Sequence, residues 1–210
     1  MSATEHIKKF YKQFDSEKIS KVCAKSWGVE QQDIISLWGS NGEVASLFGS
    51  AVHKALEHYD TFKKLGSQIS SARVVEENYA MPKHPILRSI IEEFTEVNKT
   101  VGDVVPEALV TNVDMGFCGQ ADRILVQNWK DKICRIQDYK VNIGSDESSS
   151  KNKVLEPFDN LPPTKISKYQ LQMSFYANLL EMSGWTVAGL DVFVLEDTWK
   201  HYELDVLKVI

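Results

Sequence analysis

Cysteine is scarce: Cys23, Cys118 and Cys134 are the three in 210 residues, far apart and without a CxxC pair. They offer no ligand set for a zinc ribbon or an iron–sulfur cluster and no disulfide framework, so all three read as reduced core residues. Long apolar runs are missing as well. No stretch approaches the roughly 20 consecutive apolar residues of a membrane span. The opening MSATEHIKKF carries Glu5 and Lys8 where a secretory signal has its apolar run. The expectation is a cytoplasmic protein with no membrane contact. A basic excess is lacking too: 24 Lys and Arg stand against 29 Asp and Glu, a formal net charge of −5. A passive nucleic-acid coat needs a broad basic surface and is disfavoured. An enzyme that recruits divalent cations through carboxylates is compatible with that balance. The chain holds no GxxxxGK[ST], GxSxG or GxGxxG, and its five histidines form no HxxxH or HExxH spacing. P-loop, nucleophile-elbow, dinucleotide-binding and zinc-peptidase chemistries are thereby set aside. No segment repeats.

What is present suffices for a core. Hydrophobic residues make up 43% and charged residues 25%, the usage of a globular domain, and the length suits one domain at roughly 100–200 residues each. Residues 1–42 read as a helical N-terminal extension, in which 16–25 form the clear helix with Ser16 as its cap. Over 43–64 the apolar positions Val44, Leu47, Phe48, Ala51, Val52, Ala55, Tyr59 and Phe62 recur at three- and four-residue spacing. That predicts a long helix with one buried stripe. Residues 85–98 repeat the pattern with Leu87, Ile90, Ile91 and Phe94, and Pro85 suits the first turn. The period then changes to two. VVPEALVTNV (104–113), GFCGQADRILV (116–126) and KICRIQDYKV (132–141) are rich in β-branched residues and predict an antiparallel meander. Residues 144–164 are polar, serine-rich and then proline-bearing, and read as a surface loop. A helix over 165–182 with Gly184 as its cap, then strands over 189–197 and 199–209, complete an α/β or α+β order.

Within the meander, the two-residue period puts Gln120, Asp122, Ile124 and Val126 on one face of the second strand and Arg123 and Leu125 on the other. On the third strand Asp138 and Lys140 share a face, about 7 Å apart along the strand at roughly 3.3 Å per residue, while Tyr139 points the other way. If the two strands pair as neighbours, Asp122 comes alongside Asp138. Two carboxylates on a half-buried face repel unless a cation joins them, which is the condition for a Mg²⁺ or Mn²⁺ site. The lysine beside them then serves a metal-activated water. Against this stands the plainer reading, that Asp122, Arg123, Asp138 and Lys140 are ordinary solvated strand charges. On the helix over 165–182, Gln172 lies one turn before Tyr176 at the edge of an apolar surface, either as a satisfied core amide or as a ligand contact. His53 falls almost opposite the apolar stripe of the long helix, with Gly49 and Asp60 on its side, and on periodicity alone reads as an exposed histidine.

Four blocks stand in order: GSAVHKALEHY (49–59), GQADRILV (119–126), QDYK (137–140) and QLQMSFY (170–176). They resemble the histidine helix, GxxD strand, DxK strand and QxxxY helix of the PD-(D/E)xK nuclease superfamily, and within it the RecB-like exonucleases. The resemblance implies an α/β fold with a restriction-endonuclease-like core, a central mixed sheet flanked by helices, in a single domain over 1–210. It implies His53, Asp122, Asp138 and the backbone carbonyl of Tyr139 as ligands of Mg²⁺ or Mn²⁺, with Lys140 as the catalytic lysine. Gln172 and Tyr176 would place the substrate strand and the lysine. A glutamate ahead of the GxxD strand often joins the site in relatives; Glu107 is the first candidate for that catalytic position and Glu77 the second. Two departures stand out. Val141 occupies the place where the family often has Thr, and the four-cysteine iron–sulfur cluster of some relatives is missing. With no helicase part in 210 residues, the expectation is a stand-alone nuclease of phage type, in the host cytoplasm if viral, working with separate recombination or replication proteins.

The reaction so implied is hydrolysis of a DNA phosphodiester in recombination, repair or replication. The polar segment 144–164, between the DxK strand and the QxxxY helix, is placed to cover the strand being cut and admit a threaded end, which favours an exonuclease. Lys63, Lys64, Lys151, Lys153, Lys165 and Lys168 are candidates to track the DNA backbone. The rivals are a catalytically idle DNA-binding or scaffold protein of the same fold, a structure-specific endonuclease, and a different metal enzyme on an α/β domain. Intact Asp122, Asp138 and Lys140 speak against the first, and the QxxxY helix is unexplained by the last.

Overall fold

The computed structural model describes residues 1–67, 80–99, 101–141 and 153–210, with only the backbone at 64–67. Its helices are α1 (Ala3–Ile7), α2 (Ser16–Trp27), α3 (Gln31–Ser67), α4 (Pro85–Val97) and α5 (Lys165–Met182). Five strands, β1 (Asp103–Asn112), β2 (Phe117–Asn128), β3 (Ile133–Val141), β4 (Thr186–Leu195) and β5 (Trp199–Leu204), lie side by side in that order. The first three form the predicted antiparallel meander, β4 runs parallel to β3, and β5 is antiparallel to β4. The parallel pair follows from connectivity: the chain leaves β3 and returns through α5, the crossover that a parallel neighbour requires. This is the expected α/β architecture, a central mixed sheet flanked by helices.

Strand alternation divides the core in two. Ile124, Val126, Cys134, Ile136, Val192 and Val194 pack with Leu171, Phe175 and Leu179 of α5 and with Ala3 and Ile7 of α1. On the other face Tyr139, Phe193 and Leu195 meet Val52, Leu56 and Tyr59 of α3 and Ile90, Ile91 and Phe94 of α4. Phe94 anchors that side, its ring edge-on to Tyr139, Phe193 and Trp199 at 5.3, 5.2 and 5.3 Å between centroids. Such geometry is favoured by the aromatic quadrupole.

Several expectations are corrected. The helix predicted from residue 43 starts at Gln31, and its apolar stripe is buried only in part: Val44 and Leu47 are 67% and 66% exposed, whereas Val52 and Leu56 are 0% exposed. Only the C-terminal part of α3 reaches the sheet and α4, so the earlier part of the stripe has no sheet beneath it. The cap of α2 is Asp15, whose carboxylate accepts the Lys18 N–H at 2.9 Å, and not Ser16. The first residues are not a mere appendage, because Ala3, Ile7 and Phe10 enter the core under α5. Part of the predicted surface loop is held in as well: Val154 is buried and bridges to Tyr11, and the Leu155 N–H donates to the Phe10 carbonyl at 2.7 Å. Residues 144–152 of that stretch lie outside the described residues. Of the cysteines only Cys134 is a core residue; Cys23 is half-buried, Cys118 is exposed, and all three are free thiols. Ser183 caps α5, and Gly184 follows with φ 82°, a left-handed turn that favours glycine. No helix among the described residues is long and apolar enough to cross a membrane.

Candidate active site

The antiparallel register of β2 and β3 brings two carboxylates level. Ile124 pairs with Ile136 and Arg123 with Gln137, so the next residues, Asp122 and Asp138, fall opposite each other. The Tyr139 N–H donates to Asp122 Oδ2 at 3.2 Å. A strand residue's N–H and C=O point toward the same neighbour, so the Tyr139 carbonyl faces the same gap. His53 arrives from α3, with Nδ1 3.4 Å from Asp122 Oδ2. It is half-buried rather than exposed, because this side of α3 faces the sheet and the apolar stripe does not mark the only covered arc. Burial holds the His53 imidazole below its usual pKa, and the Lys140 charge lowers it further, which keeps a nitrogen lone pair available to a cation.

Asp138 is 7% exposed, so the reading of it as a solvated charge is overturned. Burial pushes its carboxyl up to about 7, against the pull of Lys140 and with the Asp122 charge adding to the rise. The Lys140 ammonium lies 2.5 Å from Asp138 Oδ2. The ammonium is the ion-pair partner of that buried oxygen, which has no other hydrogen-bond partner among the described residues. Burial alone would lower the Lys140 pKa, but Asp138 and Asp122 outweigh it and hold the ammonium above its ordinary value. Its nitrogen also sits 5.0 Å from the centroid of the Tyr169 ring on α5, a cation–π contact.

The rest of α5 converges from the same direction. Gln172 Nε2 donates to the Tyr176 hydroxyl at 3.0 Å, and the Tyr176 ring lies against Gly119 of β2. A Cβ at Gly119 would run into that ring, so the first residue of the GQAD segment is glycine because of close approach, not because of its φ. Tyr169, Gln172 and Tyr176 recur at helical spacing along α5. The sequence does not mark Tyr169 as a partner of Lys140, since it reads there as part of an apolar line, although its spacing puts it on the same side of α5 as Gln172 and Tyr176.

Glu107 sits on β1 opposite Asp122, between the pairs Pro106–Arg123 and Ala108–Ala121, with φ 48°. That left-handed conformation is costly for a residue with a Cβ and breaks the ladder locally. Its carboxylate turns to Gln120, accepting from Nε2 at 2.7 Å. It also lines an open groove of about 430 Å³ with Ser46, Gly49, Ser50, His53, Lys54 and Glu57. Burial raises the Glu107 pKa, and Glu57 adds to the rise. The fold thus brings His53, Asp122, Asp138, Tyr139 and Lys140 together, sets Gln172 and Tyr176 on the adjoining helix, and leaves Glu107 at the rim beside His53. Glu77 lies outside the described residues, as do Lys151 and the side chain of Lys64. Lys63 and Lys168 lie over the rings of Tyr59 and Tyr11.

Among the described residues no three His, Cys, Asp or Glu side chains form a ready metal cage. The donor set still fits a hard divalent cation. Mg²⁺ is commonly held by one or two carboxylates, with waters and substrate phosphates filling the octahedron. Here two level carboxylates, one of them buried and held in an ion pair with Lys140, stand beside a backbone carbonyl and a histidine whose pKa burial lowers.

Residues 21–201 match the profile of the PD-(D/E)XK nuclease superfamily. No curated protein and no solved structure matches the chain. The matched segment runs from within α2 to within β5 and takes in every described candidate residue. With its restriction-endonuclease-like core, the chain belongs to the PD-(D/E)XK nuclease superfamily, whose members are phosphodiester-hydrolysing nucleases that generally use divalent metal ions such as Mg²⁺.

Proposed function

We propose that this chain is a Mg²⁺- or Mn²⁺-dependent deoxyribonuclease of RecB-like type, a single nuclease domain that degrades DNA from its ends alongside recombination or replication proteins. The observation that carries the reading is the level pair Asp122 and Asp138, with a buried Asp138 oxygen whose partner is the Lys140 ammonium at 2.5 Å. Asp122 and Asp138 hold the cation, with His53 and the Tyr139 carbonyl as further donors. When bound, the cation supplies Lewis acidity to the scissile phosphate and to a water. Water oxygen adds to phosphorus, the bond to one ester oxygen breaks, and the proton given up by the water ends on that departing oxygen, leaving a phosphate monoester and a free hydroxyl. The Lys140 ammonium orients the water and offsets the negative charge that grows on the phosphoryl oxygens. Tyr176 accepts a hydrogen bond from Gln172, which leaves its own O–H proton to donate to a substrate oxygen. Glu107 at the groove rim is the auxiliary carboxylate.

The end-dependent reading is supported by the RecB-like motif order and by the polar segment 144–164 between β3 and α5. A divalent-metal titration with linear and covalently closed circular DNA tests both levels. Linear DNA shortens progressively with Mg²⁺ or Mn²⁺, circles survive, and a chelator stops the reaction. Efficient cutting of closed circles moves the assignment to an endonuclease of the same superfamily. No cutting of either form under any divalent metal moves the assignment to a catalytically idle DNA-binding or scaffold protein of the same fold.

A further inference from the structure

One buried carboxylate outside the candidate ligand set touches every element that carries a candidate ligand. Asp60 is 3% exposed and lies on α3, two turns beyond His53 on the same side. It accepts two hydrogen bonds from one guanidinium, Arg123 Nε at 2.8 Å to Oδ2 and Arg123 Nη2 at 3.1 Å to Oδ1. Its Oδ2 also accepts the Tyr139 hydroxyl at 3.3 Å. Arg123 directly follows Asp122 on β2, and Tyr139 stands between Asp138 and Lys140 on β3. The third guanidinium nitrogen, Nη1, donates to Gln137 Oε1, and Gln137 directly precedes Asp138. The helix with His53, the strand with Asp122 and the strand with Asp138 and Lys140 are therefore each tied to Asp60, directly or through one residue.

We infer that Asp60 is a positioning residue, which with Arg123 sets the spacing between His53 and the two strand carboxylates. The inference rests on the proposed metal site. A buried ion pair is a weak source of net stability, since apolar residues of similar volume often do as well. What a bidentate guanidinium–carboxylate fork supplies is fixed distance and angle. The spacing it fixes is read at His53 Nδ1, 3.4 Å from Asp122 Oδ2, and at the Tyr139 N–H, 3.2 Å from the same oxygen. Residues that orient metal ligands from behind act on affinity and turnover without touching the substrate.

The test uses the full chain with the double substitution Asp60→Leu/Arg123→Met, which removes both charges together and leaves neither stranded, and separately Tyr139→Phe, which removes one hydroxyl. Two readouts are taken: the dependence of the melting temperature on Mn²⁺ concentration, and kcat and KM on linear DNA. The double variant is expected to melt near the wild type without metal, to bind Mn²⁺ about tenfold more weakly, and to lose about 10–100-fold in kcat with KM little changed. Tyr139→Phe shifts both in the same direction by less. If the double variant does not fold, Asp60→Asn, which keeps the side chain's shape and loosens the charged fork, decides in the same readouts, and wild-type Mn²⁺ affinity and kcat in folded Asp60→Asn overturn the inference. A folded double variant with both values at wild-type level overturns it too, while the metal-site reading stands. A wild type that neither binds Mn²⁺ nor cuts DNA overturns that reading and the inference with it.

Discussion

Lys140 and Asp138, two residues apart on β3, form an ion pair in which the ammonium nitrogen lies 2.5 Å from a buried carboxylate oxygen. Strand alternation puts both side chains on one face, and burial makes the carboxylate expensive to ionise. In the metal-free protein the ammonium is the nearest cation to this carboxylate. On the proposed function, a divalent ion held by the two carboxylates would take over that pairing and leave the ammonium to the substrate.

Stability of the metal-free protein should record this arrangement. Burial, with the Asp122 charge adding and Lys140 opposing, raises the Asp138 carboxyl from 3.8 to about 7. A carboxyl whose folded pKa is raised contributes stability that is fully present below its unfolded value and is lost as pH rises through about 7. Asparagine does not ionise. In chelator, the melting temperature of Asp138→Asn should therefore gain on the wild type between about pH 4 and about pH 7 and run parallel to it above that. Parallel pH profiles for the two proteins would show that Asp138 does not titrate in that window.

Lys140 should separate binding from turnover. Lys140→Ala keeps the Mn²⁺-dependent rise in melting temperature, because the ligands are elsewhere, and loses about 10²–10³-fold in kcat. Loss of the Mn²⁺ response as well would make Lys140 a structural counter-ion. Tyr169→Leu removes the ring under the ammonium and should lower kcat by several-fold, consistent with a contact of about 0.5–2 kcal/mol. Tyr169→Phe keeps the ring and should retain activity; a loss equal to that of Tyr169→Leu would assign the effect to the hydroxyl.

Gly119 should tolerate no side chain. Its added Cβ would meet the Tyr176 ring, so Gly119→Ala should destabilise the fold by about 1–3 kcal/mol, as overpacking does. Urea midpoints measure this, and Gly119→Ala/Tyr176→Leu should recover part of the loss. If Gly119→Ala alone matches the wild type, the ring is free to move and the close approach is not a constraint.

These cases also show what the sequence made legible. A period of two placed Asp138 beside Lys140, and the turn between β2 and β3 made Asp122 a neighbour, because both signals are local. Arg123 carries no such signal: its partner Asp60 is 63 residues away and reads, with His53, as the uncovered side of a helix. Helix periodicity marks where apolar residues lie, but a helix laid on a sheet also covers polar residues that find partners there. The bare early part of the α3 stripe is the converse case. Val44 and Leu47 obey the pattern, yet their burial depends on how far the sheet extends, which spacing does not encode. The left-handed φ of Glu107 is equally invisible, since nothing in the residue type favours it.

The most direct measurement compares the wild type with Asp122→Ala and Asp138→Ala, each shown to be folded by its melting profile, in Mg²⁺- or Mn²⁺-dependent cleavage of linear DNA. With both carboxylates present the DNA is degraded and Mn²⁺ raises the melting temperature. With either removed, cleavage and the Mn²⁺ response are both lost, because each carboxylate supplies one of the two charged oxygen donors on which the proposed cation site depends. Digestion by Asp138→Ala or Asp122→Ala at the wild-type rate would contradict the assignment of these carboxylates to the active site.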